Sequence, residues 1–328
     1  MKKKISRKKK IIITSIIVVL LIPVVLFGFV MINHQVRLSS EHTALKPMGK
    51  MVSVNEHDMH VFTEGTGDAT LVFLSGYGTG IPSDDFAPIC NELSNEYRVA
   101  VIERAGYGYS DETGISRDID TVVEENREAL RLAGVDGPVV IVPHSMSGLE
   151  ALYWAQKYPE EVKAIIGIDA AFPDWYLQET SVEEEQALKD YEQLSKFMRL
   201  GFIRFNSNVT ELVNAELAEL SDEKADEMKA LIYKNLFNLT LINEQNAVYD
   251  NACTILETAL PTELPVLCFI SDGTQISPDW QQKSIDFWSQ FENANYQIID
   301  CGHYIHNEKP EIILPIISNF LENLQTLS

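Results

Sequence analysis

Six short apolar runs punctuate this chain: ATLVFLSGYG (69–78), YRVAVI (97–102), VVIV (139–142), VKAIIGID (162–169), PVLCFIS (265–271) and YQIID (296–300). Helical stretches separate them, among them 83–95, 118–133, 279–292 and 309–325. Strands that are apolar without alternation are buried on both faces. Between helices they predict an α/β fold with a mostly parallel sheet covered on both sides. MVSVNEHDMHVFTEG (51–65) adds an antiparallel hairpin. Sites in such sheets form at the carboxyl ends of the strands, so residues just after each run are the ones to search.

Ser145 stands at one of those ends. It follows Val139–Val142 in IVPHSMSG (141–148) and precedes the helix-like SGLEALYWAQKY (147–158). A serine on a sharp strand-to-helix turn has an exposed hydroxyl, and the first N–H groups of the following helix face the same point. A serine nucleophile needs a base and an acid that orients it. Of seven histidines, His34 and His42 lie near the N-terminal apolar run, His57 and His60 in the hairpin, and His144 beside the serine with its ring directed away. His303 and His306 follow the last strand in DCGHYIHNEKP (300–310), where Gly302 permits a sharp turn. His303 is the expected general base and His306 a support of its loop. Asp272, directly after PVLCFIS, is the first choice for the acid. Asp169, at the end of the preceding strand, is the alternative, with a cap of the turn into Ala170-Ala171 as its other role. The oxyanion donors are expected to be the backbone N–H groups of Met146 and of Tyr77 in LSGYG (74–78).

Charge is placed unevenly. MKKKISRKKK (1–10) holds seven of the 26 Lys and Arg, leaving 19 cations against 48 carboxylates in the remainder. A body of that sign argues against a nucleic-acid partner. Ile11 to Ile32 is 22 residues without a charge, enough to cross a bilayer core of ~30 Å at ~1.5 Å per residue. The cations before it predict a cytoplasmic N-terminus and an extracellular catalytic domain at the cell membrane. A cleaved signal peptide is the alternative; its apolar core is usually ~7–15 residues long with an A-x-A ending, which this run lacks. The four cysteines show no CxxC spacing and read as buried free thiols.

The expected organisation is a basic tip (1–10), a membrane helix (11–32), a polar tether (33–47), a core formed by 48–171 and 261–328, and a helical cap (172–260) after the sixth strand. Within the cap, S-x-x-E at Ser181–Glu184 marks a helix start, and further helices are expected over 211–220 and 222–238.

Taken together, these motifs resemble the α/β-hydrolase superfamily over about residues 50–326. FLSGYG is similar to the family's oxyanion loop, ERAGYGYSD (103–111) to its D-x-R-G-x-G-x-S turn, VPHSMSG to the nucleophile elbow and GHYIHNEKPE (302–311) to the catalytic histidine segment. The order Ser, acid, His is also the family's. Pro143 and Ser147 stand where G-x-S-x-G has glycines, Gly148 comes one place late, and Ser75 replaces the usual oxyanion-loop histidine. An ungapped reading of the family's strand-G-x-x-D pattern puts Thr274 at the acid's place, two residues after Asp272. The resemblance implies a serine hydrolase of esters, thioesters or amides, acting through an acyl-enzyme on a small, largely apolar molecule without metal or organic cofactor. An aminopeptidase similar to prolyl iminopeptidases, whose cap acids Glu183–Glu185 would attract an amino terminus, is one alternative. A catalytically silent binding protein on the same scaffold is another.

Overall fold

The computed structural model describes residues 6–43, 45–178, 182–207 and 222–327. The helix expected over 211–220 and the cap marker Ser181 lie outside the described residues, as do the side chains of Glu183–Glu185. The chain forms two compact units, Met1–Leu45 with Gln186–Phe237 and Lys46–Glu185 with Asn238–Ser328.

The larger unit is built on eight strands. They are β1 (Lys50–Val54), β2 (His57–Glu64), β3 (Thr70–Leu74), β4 (Arg98–Glu103), β5 (Val139–Pro143), β6 (Val162–Ile168), β7 (Val266–Ile270) and β8 (Ala294–Ile298). Their order across the sheet is β1-β2-β4-β3-β5-β6-β7-β8. β1 and β2 are antiparallel, β2 joins β4 antiparallel, and the remaining pairs are parallel. β5 shows why the strand runs are continuously apolar. Val139 and Ile141 enter the core on one face, Val140 and Val142 the core on the other. The first face is covered by helices 119–133, 148–157 and 280–288, the second by 87–93 and 310–327.

The helix expected over 83–95 is two short ones, Pro82–Asp85 and Ala87–Leu93. Pro88 explains the break, because it lacks an N–H and fits only the first turn of a new helix. Helix 119–133 starts where Asp118 accepts the Thr121 N–H at 2.9 Å and stops at Gly134 with φ +79°.

The helical segment between β6 and β7 divides differently from the expected 172–260 cap. Helix Leu239–Leu256 belongs with the sheet, where side-chain-to-backbone bonds hold it. Thr240 Oγ1 donates to Thr113 O at 3.0 Å, Asn251 Nδ2 to Arg117 O at 3.0 Å, and Asn238, its N-cap, to Gly106 O at 2.7 Å.

In the smaller unit, α-helix Arg7–His42 is longer than the apolar run inside it, and its side chains from Ile11 to Leu26 are exposed. The expected tether is therefore helical as far as His42. No Gly or Pro interrupts residues 29–46, and the extra turns are held from the side. Arg204 donates to His34 Nδ1 at 2.9 Å and to both Glu41 carboxylate oxygens at 2.9 and 2.6 Å. A small apolar cluster of Met198, Ile203 and Tyr233 takes in Leu38 from the same helix.

Candidate active site

Ser145 follows the end of β5 with φ +53°, a left-handed conformation that side chains rarely adopt. Strain of this kind persists only where the surroundings over-determine it, and here they do. A Cβ on Gly148 would lie 2.0 Å from Ala171 O, and one on Gly76 would lie 2.8 Å from the Ser145 Cβ, so both glycines permit close approach. Ala171 N donates to Ser145 O at 2.8 Å. The two departures from the glycine pattern also find a local reason. Ser147 Oγ lies 2.7 Å from Leu74 O and accepts the His144 N–H at 3.0 Å, tying the turn to β3. Pro143 has no N–H to offer toward β6, and the β5–β6 ladder pairs only Val139–Ile141.

His303 lies in the loop after β8, and its backbone N–H donates to Gln275 Oε1 at 3.0 Å. Its ring nitrogen Nδ1 is 2.6 Å from Asp169 Oδ2. Asp169 directly follows β6, has φ +46°, and is almost completely buried. Its other oxygen accepts from Ser271 N at 2.9 Å and from Trp280 Nε1 at 2.7 Å. Both acceptor positions of Oδ1 are thus used, which fixes the side chain and leaves Oδ2 for the imidazole.

Asp272, the acid preferred from sequence, does not face His303. Its Oδ1 accepts the Thr274 N–H at 2.8 Å and the Thr274 hydroxyl at 2.7 Å, an Asx-type turn at the surface. Those hydrogen bonds hold its carboxyl below the usual range. The aspartate that reaches the ring is the sequence alternative, Asp169.

His144 packs against His303 with ring centroids 4.5 Å apart, and its Nε2 donates to His303 O at 3.2 Å. Burial, with His306 and His303 nearby, holds its pKa well below the ordinary value, so the ring is neutral. His306 donates from Nε2 to Asp85 Oδ2 at 2.9 Å, the supporting role its position suggested. Asp85, His144 and His306 bring ligand-type atoms within 4.8 Å of one another. One nitrogen of each ring is used in these hydrogen bonds while Nδ1 of both is buried without a partner among the described residues, and through His303 O and Asp85 the set brackets the His303 loop.

Tyr77 follows Gly76 on the loop after β3, and Met146 directly follows Ser145 in the turn. Beneath the β3 loop lies a network that sequence reasoning missed. Arg104, fully buried, donates to Ser75 O at 2.7 Å, pairs with Glu244 at 3.1 Å and lies 3.0 Å from Glu150. The Tyr107 hydroxyl donates to Glu244 as well. Two carboxylates around one guanidinium, all out of water, favour keeping a proton on one of them. Burial pushes Glu150 up to about 7 against the pull of Arg104. Arg104 was visible within ERAGYGYSD; its acidic partners come from helices remote in sequence and carry no motif.

The sequence profile of the alpha/beta hydrolase fold family matches residues 69–310. The chain belongs to the α/β-hydrolase family. It is 34% identical over 305 residues to the Bacillus subtilis protein YbdG, itself uncharacterised, covering 90% of this chain and 92% of that one. Among solved structures, an epoxide hydrolase from Bacillus megaterium superposes with a TM-score of 0.63 at 18% identity, over 83% of this chain and 100% of that one. An esterase from Thermogutta terrifontis gives 0.58 at 18% identity, over 85% and 98%. At that identity these likenesses concern the fold. Within the family this α/β-hydrolase is a hydrolytic enzyme, and its mostly parallel sheet with an insertion after the sixth strand is the fold expected from the strand runs.

Proposed function

We propose that this α/β-hydrolase is a serine hydrolase in which Ser145, His303 and Asp169 form the catalytic relay. The observation that carries the proposal is the 2.6 Å contact between His303 Nδ1 and a buried Asp169 whose other oxygen is held by Ser271 and Trp280, at the strand ends where Ser145 sits in a left-handed turn. In this reading the Ser145 oxygen attacks a carbonyl carbon and its proton passes to His303 Nε2. The oxyanion that forms accepts hydrogen bonds from the Met146 and Tyr77 N–H groups. Collapse of the intermediate breaks the bond to the leaving alcohol, thiol or amine, which takes the proton from Nε2. Water, deprotonated by the same nitrogen, then attacks the acyl-enzyme and frees the acid and Ser145. Asp169 keeps Nδ1–H oriented and stabilises the imidazolium.

A serine at the elbow favours ester, thioester or amide substrates over the alkyl-enzyme chemistry of relatives with an aspartate there. The apolar run 11–32 supports a single membrane anchor, with the basic tip in the cytoplasm and the hydrolase outside the cell. The test is labelling by a fluorophosphonate together with hydrolysis of short nitrophenyl esters. Both should vanish in Ser145→Ala. Labelling that persists in that variant, or a folded wild-type protein that neither labels nor hydrolyses, refutes the reading.

A further inference from the structure

The segment KFMRLGFIRF (196–205) is unlike the rest of the acidic chain. It carries three cations and no carboxylate, while the whole protein has a net charge of −22. It also exposes apolar surface. Phe197 is 47% and Phe205 68% accessible, and Leu194, one turn earlier on helix Val182–Met198, is 46% accessible. A soluble surface rarely gathers large exposed aromatics in one turn, and such a patch usually marks an interface.

Contacts within the smaller unit say which interface. Phe202 stacks on Phe197 with centroids 4.0 Å apart and meets Phe27 of the N-terminal helix at 5.8 Å. The Cβ position of Gly201 is 3.0 Å from Val30 O and 2.7 Å from the His34 Cβ. Phe27 precedes Ile32, the end of the charge-free run, by five residues, or ~7–8 Å along the helix axis. A residue packed beside Phe27 shares its depth. The run itself, at ~33 Å, slightly exceeds a bilayer core of ~30 Å, and the 197–205 turn, which meets the helix from Phe27 to Leu38, spans the edge of the hydrocarbon at Ile32. Arg204 starts from that level and reaches away from it, to His34 and Glu41, with its guanidinium 4.3 Å from the Tyr233 ring centroid. This is the course of a snorkelling arginine.

We propose that the 197–205 turn is a membrane-contact surface. Phe197, Phe205 and Leu194 seat in the boundary between headgroups and acyl chains of the leaflet that the N-terminal helix enters from outside. Lys196, largely exposed beside them, sits in a surface ion pair with Glu192 at 2.6 Å that an anionic headgroup can exchange into. The chain thereby touches its membrane through a second element besides the anchor. The proposal rests on the reading that residues 11–32 span the bilayer.

The experiment uses the full chain in vesicles of phosphatidylcholine and phosphatidylglycerol. The environment-sensitive fluorophore NBD is attached to Phe205→Cys or, as a control, to the exposed Tyr249→Cys, both in a Cys253→Ser background; Cys253 is only partly buried, while the other three cysteines are buried. Thermal melts confirm that each labelled protein is folded. The expected result is a blue-shifted probe at 205, quenched severalfold more by a nitroxide lipid labelled near the headgroup than by aqueous iodide, with the opposite ranking at 249. A probe at 205 quenched by iodide and untouched by the lipid, in protein that stays in the membrane after alkaline extraction, overturns this proposal alone. A probe shielded from both quenchers indicates that another protein surface covers the patch, and overturns it too. Release of the chain by alkaline extraction overturns the spanning reading and this proposal with it.

Discussion

The rim of the sheet around Ser145 and the helical turn around Phe202 hold their residues by different means. At the rim, the acid and the serine turn are held by groups from several elements. Asp169 receives Ser271, Trp280 and His303, and the Ser145 turn is pinned by Gly148 against Ala171 and by Ser147 against β3. At the turn, one arginine and stacked rings hold two helical segments together while large apolar side chains remain uncovered. Chemistry needs atoms fixed to fractions of an ångström. Attachment to a fluid bilayer needs only apolar area and charge at one depth.

This difference can be broken or sharpened by substitution. The largest expected effect is at the acid. Asp169→Asn should lower kcat by about 10³–10⁴, because the amide no longer fixes the imidazole tautomer. Asp272→Asn should leave kcat within about twofold, since its carboxylate serves only the Thr274 turn. The reverse ranking in an ester-hydrolysis assay would sink the Asp169 relay.

Next comes Gly148→Ala. Its new methyl group would meet the Ala171 carbonyl at 2.0 Å, and overpacking against rigid backbone should cost about 3 kcal/mol or more. Denaturant titration of the larger unit measures it. A loss under 1 kcal/mol would mean that the Ser145 turn is much softer than the contact implies.

A smaller, pH-dependent effect is expected at Glu150. Its folded-state pKa, pushed up to about 7 by burial, lies above the ordinary 4.5. Its favourable contribution is therefore complete below the ordinary carboxylate value and lost as pH rises through about 7. Glu150→Gln should gain thermal stability over wild type as pH goes from 5 to 8, by about 1–3 kcal/mol at most. A constant difference across that range would remove the protonated carboxyl from the network.

The smallest global effect belongs to the other region. Arg204→Met should leave hydrolysis and the main unfolding transition unchanged, while hydrogen exchange in residues 33–42 rises about tenfold or more. Unchanged exchange there would mean that the helix beyond the apolar run stands without Arg204.

The candidate acid shows where reading a chain stops. Asp169 and Asp272 each follow an apolar strand, and the strands, β6 and β7, are neighbours. Local pattern treats them alike. The choice is made by the left-handed turn at Asp169 and by the indole of Trp280, 111 residues away in sequence, which holds that carboxylate toward the ring. The Arg104 network was opaque for the same reason, since Glu150 and Glu244 are ordinary helix residues until the fold closes on them. In the extension of the N-terminal helix, polarity suggested a tether, whereas the absence of Gly and Pro and the contacts of Arg204 kept it helical.

Sequence alone determined the sheet, the serine turn and the histidine loop at its strand ends and the apolar N-terminal run, because each is written in neighbouring residues by period, punctuation or length. Tertiary structure decided which aspartate meets His303, which carboxylates surround Arg104, and which part of the helical insertion belongs with the sheet. Those outcomes depend on distances between segments remote in the chain, and no local pattern encodes such distances.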